Sequence, residues 1–116
     1  MNTHFTWSPN GEANDEQRLD LAEMLSQLEN YDDFILCGDF NAPRGKEIFA
    51  QLASRYTDNL PPEVTTTIDG QFHYAGQLEI VVDGFFTTPR YQVESLQVRA
   101  GLSDHQGLLA QVSKTE

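Results

Sequence analysis

The chain has 116 residues, 39% hydrophobic and 10% aromatic, which fits one globular domain over residues 1–116 and excludes a disordered one. Eighteen acidic against seven basic residues give a formal charge of −11, and the basic residues form no stripe that would grip a nucleic-acid backbone. No apolar stretch approaches the roughly 20 residues of a membrane span. Eight of the acids lie between Glu12 and Asp33 against one base, the pattern of a solvated acidic face. Met1–His4 shows no signal-peptide pattern, and the single cysteine, Cys37, cannot form an internal disulfide. Both features fit a cytoplasmic location.

In chain order, Thr3–Trp7 alternates weakly and reads as a strand, and Ser8-Pro9-Asn10-Gly11 is turn chemistry. Asn14 reads as an N-cap with Gln17 three residues on, opening a helix over 14–29 with Leu21, Ala22, Leu25 and Leu28 at helical spacing. A buried strand over 34–38 takes in Cys37 as a small core residue and empties into a polar loop. A short helix follows, carrying Ile48, Phe49 and Leu52. Beyond Pro61-Pro62 the pattern turns to strand: Val64–Ile68 and Gln71–Ala75 about an Asp69-Gly70 turn, then Glu79–Phe86, Tyr91–Val98 and Gly107–Val112. The order β-α-β-α, then a run of β, predicts an α+β fold with two helices on one face of a mixed sheet.

Two clusters carry the chemistry. The first is Cys37-Gly38-Asp39-Phe40-Asn41-Ala42-Pro43-Arg44, where a strand ends in a carboxylate and a carboxamide two residues apart. The second is Ser103-Asp104-His105, just before an apolar run. Strand ends that deliver acids and a histidine are where such folds assemble sites. His105 titrates near neutrality and can accept a proton from water. Asp83, among the apolar neighbours of 79–86, needs a partner if buried. For Asp39 and Asn41 the structural alternative is an Asx turn capping the short helix, and for Asp104 a turn of its own. Cys37 lacks a neighbouring base, and no Cys/His pair has zinc-ligand spacing.

Together these motifs resemble the endonuclease/exonuclease/phosphatase superfamily, the metal-dependent phosphoesterases that include pancreatic-type deoxyribonuclease. The resemblance runs from His4 to about Val112 and covers the C-terminal half of that fold, a four-layer α/β/β/α sandwich. It implies a phosphoester hydrolase in which His105 is the base, Asp83 orients it, and Asp104 is a metal ligand. It further implies that Asp39 and Asn41 serve the leaving-group side and that His4 stabilises charge on the phosphoryl group. The implied cofactor is Mg²⁺ or Mn²⁺. The acidic balance favours a small phosphoester over nucleic acid as substrate. Members commonly carry an aromatic residue after the aspartate equivalent to Asp83; Gly84 stands there and predicts a looser pocket wall. The first half, with its metal-binding glutamate, has no counterpart in the 116 residues, and the sheet is expected to be bare on one face. That face calls for the missing half or a second copy in a homodimer, and it admits an alternative reading as a non-catalytic interaction module. His73 matches no family motif and reads as a surface histidine, and Arg44 reads as a solvated arginine.

Overall fold

The computed structural model describes residues 1–116. The elements are β1 (Asn2–His4), α1 (Asp15–Leu28), β2 (Ile35–Asp39), α2 (Glu47–Arg55), β3 (Thr57–Asp58), β4 (Asp83–Thr87), β5 (Tyr91–Arg99) and β6 (Gly107–Lys114). Four strands make a mixed sheet in the order β1-β2-β4-β3. β1 runs parallel to β2, while β4 is antiparallel to both β2 and β3. β5 and β6 form a separate antiparallel hairpin. The expected half-sandwich is present, with its later strands set off as a second, smaller sheet.

α1 begins where the sequence places it: Asn14 is extended, and its side chain accepts the Gln17 amide N–H. Leu21, Met24 and Leu28 recur along one face and are buried, as are Ile48, Phe49 and Leu52 of α2. Both stripes close on Leu36 of β2 and Phe86 of β4. Phe40, the residue between Asp39 and Asn41, is the hub of this core. Its ring meets Phe5, Phe49 and Phe86 edge-on at centroid distances of 5.5, 6.3 and 5.7 Å. The site motif is therefore pinned by an aromatic anchor at its centre.

Strand alternation sends Leu36 and Phe86 to the helices and their neighbours Cys37 and Phe85 to the opposite face. Cys37 is thus half-buried on the open side rather than a core residue. Gly38 is required at its position: with φ at 152°, a Cβ there would overlap the Thr3 carbonyl, and β1 could not pair.

The Val64–Ala75 hairpin does not form. Threonine side chains take over the bonds that a strand ladder would have used. The Thr66 hydroxyl donates to the Leu78 carbonyl, and the Thr67 hydroxyl accepts the Val82 N–H. The expected strand over 79–86 begins only at Asp83. The Val81 and Val82 carbonyls instead accept the Arg44 and Phe40 amides, tying this segment to the motif loop. β3 was not expected. It follows directly on α2 and pairs two residues with β4.

Candidate active site

The antiparallel register of β2 and β4 sets Asp39 directly opposite Asp83. Two carboxylates side by side repel unless something cationic stands between them. His105 takes that place. Its Nδ1 lies 2.8 Å from Asp83 Oδ2 and its Nε2 3.6 Å from Asp39 Oδ2. The ring is held by the segment around it. Ile68 bridges His105, Gln106 N–H donates to the Thr67 carbonyl at 2.7 Å, and the Gln106 side chain donates to the Ile68 carbonyl at 3.1 Å.

On the other side, Asn41 shapes the Asp39 carboxylate. Its backbone N–H donates to Asp39 Oδ1 at 2.8 Å, and its carboxamide donates to the Phe5 carbonyl at 2.7 Å. Asn41 sits at φ 48°, a left-handed conformation that asparagine tolerates. This is an Asx turn, and it leaves Asp39 Oδ2 turned toward the histidines. His4, at the end of β1, has Nε2 3.4 Å from the same oxygen and is largely exposed.

Burial pushes the Asp83 carboxyl above its ordinary range; the Thr67 hydroxyl and His105 pull it back, and the Asp39 charge adds to the rise. Burial works against a charged His105. The hydrogen bond and charge of Asp83, with the charges of Asp39 and Asp104, outweigh it and raise the imidazole above its usual value of 6.5.

Asp39, Asp83 and His105 each offer a ligand atom within 4.8 Å of the others, a grouping able to hold a metal ion. Because Asp83 Oδ2 and His105 Nδ1 are already paired, Asp39 is the carboxylate left to a cation. Asp104 lies outside this trio, exposed on the rim of the same cavity. Few protein carboxylates facing an open cavity fit magnesium, which retains waters and substrate oxygens.

Three expectations change here. Gly84 does not line the pocket. It is buried on the helix side, where a Cβ would stand 2.7 Å from the Phe86 ring and 3.0 Å from that of Phe40. Arg44 is neither solvated nor at the site: its guanidinium pairs with Asp58 at 2.9 Å and donates to the Leu60 and Pro61 carbonyls. His73 reaches the cavity that also holds His4 and His105. Two further residues hold the site in ways that their places in a cap and a turn do not reveal. Gln17 is fully buried, and its carboxamide donates to the Thr6 carbonyl at 2.9 Å and the Asn41 carbonyl at 3.0 Å. Asp69, also buried, receives the Gly101 N–H at 2.7 Å and so ties its loop to the one bearing His105.

No family model matches the sequence, and a search of the curated proteins finds no relative. Solved structures do match. An endonuclease/exonuclease/phosphatase from Bacteroides vulgatus superposes with a TM-score of 0.75 at 19% identity, over 97% of this chain and 48% of its own. The fold is half of an endonuclease/exonuclease/phosphatase fold. A conserved protein of unknown function from Enterococcus faecalis V583 matches this half-fold at TM-score 0.70 and 22% identity, over 98% of this chain and 49% of its own. The human Nocturnin catalytic domain, solved with a bound sulfate anion, does so at 0.66 and 19%, over 98% and 46%. The chain therefore spans about half the length of the solved structures it matches.

Proposed function

We propose that this chain is the histidine-bearing half of a divalent-metal-dependent phosphoester hydrolase acting in the cytoplasm on a small phosphoester. The observation that carries the reading is the 2.8 Å Asp83–His105 pair, whose remaining nitrogen faces Asp39 and an open cavity. With Nδ1–H donated to Asp83, the neutral ring keeps its Nε2 lone pair for a proton. That nitrogen takes the proton of an attacking water as the water oxygen bonds to phosphorus. Asp83 stabilises the resulting imidazolium. As the bond to the leaving group breaks, Asp39, fixed by Asn41, orients a water whose proton passes to the departing oxygen. His4 adds a second imidazole where phosphoryl charge gathers. Asp39 and Asp104 are the carboxylates that would hold Mg²⁺ or Mn²⁺, which as a Lewis acid neutralises phosphoryl charge. A small substrate is favoured by the formal charge of −11, which repels long polyanions, and by the likeness to a solved Bacteroides thetaiotaomicron mannosyl-6-phosphatase, TM-score 0.67 at 17% identity.

The rest of the metal site and the cover for the open sheet face would come from a second half, either another copy of this chain or a separate polypeptide. A second reading, a non-catalytic dimeric module, is favoured only by the half-length match. Hydrolysis of an aryl phosphodiester with magnesium or manganese separates the two. The hydrolase reading expects metal-dependent turnover that falls by about 10²–10⁴-fold in His105→Ala. Turnover absent from both proteins, with and without metal, would sink the reading of this chain as a hydrolase by itself or as a dimer, and leave a half that needs a different polypeptide or the non-catalytic module.

A further inference from the structure

All three histidines of the chain line one cavity of about 530 Å³, yet the hydrolytic reading uses only His4 and His105. The third, His73, is placed deliberately. Its backbone N–H donates to the Asp69 carbonyl at 2.9 Å, and its own carbonyl accepts the Gly76 N–H at 2.9 Å. Asp69 in turn bonds the loop that carries Asp104 and His105, through its N–H to the Asp104 carbonyl at 3.0 Å and through its carboxylate to Gly101. The Ala75 N–H donates to His73 Nδ1 at 3.1 Å. An imidazole that accepts at Nδ1 carries its hydrogen on Nε2, so the ring presents a donor there, and no hydrogen bond within the chain engages it. The ring stacks on Tyr74 at 4.7 Å and stands 6.4 Å from the His105 ring. Tyr74 and Trp7, both largely exposed, line the same cavity.

Resting on the phosphoester reading, we infer that His73 binds a substrate phosphoryl oxygen through Nε2–H, while Tyr74 and Trp7 select an ester whose organic group has a flat apolar face. Exposed aromatic rings lining a cavity beside a phosphate donor have this use: a planar group that stacks on one of them takes its apolar face out of water, whereas a short polyol gains little. The loop over 69–78 is then the selecting wall of the site rather than a surface turn.

Trp7 is the only tryptophan, so its emission reports on this cavity. The test titrates the full chain, in magnesium, with phenyl phosphate and with glycerol phosphate. Phenyl phosphate is expected to bind at least about threefold more tightly. His73→Ala should weaken both ligands about tenfold, and Tyr74→Ala should weaken phenyl phosphate alone. His73→Gln, which keeps an N–H donor at that reach, should recover most of the loss. Circular dichroism verifies that each variant is folded. If folded His73→Ala and His73→Gln both bind like the original chain, the inference falls and the hydrolase reading stands. If the unaltered chain binds neither ester, the phosphoester reading falls and takes this one with it.

Discussion

Asp83 and His105 depend on each other, and the dependence has a sign. The imidazole is raised above 6.5, so the native chain holds this proton more tightly than the unfolded chain does. The contribution of the His105 proton to stability is complete below pH 6.5 and fades as pH rises through the native His105 midpoint. Asp83→Asn removes both the accepting carboxylate and its charge. Histidine NMR titration should then show the His105 midpoint falling, because only the charges of Asp39 and Asp104 remain to offset burial; an unmoved midpoint would show that Asp83 does not set it. The residues of this pair were visible in the sequence as an acid in an apolar run and a histidine beside an acid. Their meeting was not. Nothing between positions 83 and 105 encodes the register that closes the pair, and the expectation rested on resemblance alone. His73 was missed for a related reason: it lies in a stretch taken for a hairpin, and only the loop that forms instead turns it toward the site.

The elements that carry the site are fixed by neighbours of ordinary appearance. The α1 stripe and the Asn14 cap were legible because helical period and cap chemistry are local. The threonine-rich run at 64–68 was misread because hydroxyls that bond nearby backbone compete with the ladder that β-propensity favours. Gln17 was read as part of a cap, yet its side chain joins α1 to the motif loop by donating to the Thr6 and Asn41 carbonyls. Gln17→Met keeps the volume and removes both donors. The expected cost is about 2 kcal/mol, with the two carbonyls left without these partners. Urea denaturation gives the stability, and the amide shift of Asn41 reports whether the loop has moved; an unchanged midpoint would mean that the carbonyls find other donors.

As a whole the chain measures 43 × 33 × 20 Å, and the shortest dimension leaves room for little more than a sheet and a layer of helices. The solved structures that share this fold are twice as long, and Phe85, Cys37 and Leu108 line a hollow of about 310 Å³ on the face opposite the helices. Sedimentation at physiological salt should find the 13.1 kDa chain in a species near twice that mass. A net charge of −11 on each copy repels, so association should strengthen as salt screens it. A monomer at every salt concentration would assign the cover to a different polypeptide.

The Asp39–Asp83 pairing also bears on how the sheet finds its alignment. A slip of one residue between β2 and β4 turns each side chain to the opposite face. Asp83 would then enter the Phe40, Phe49 and Phe86 cluster as an uncompensated charge, and Phe86 would face water. The glycine pair Gly38 and Gly84, neighbours in the same ladder, would offer no bulk to resist the slide. The acids placed for chemistry therefore also keep the two strands in step.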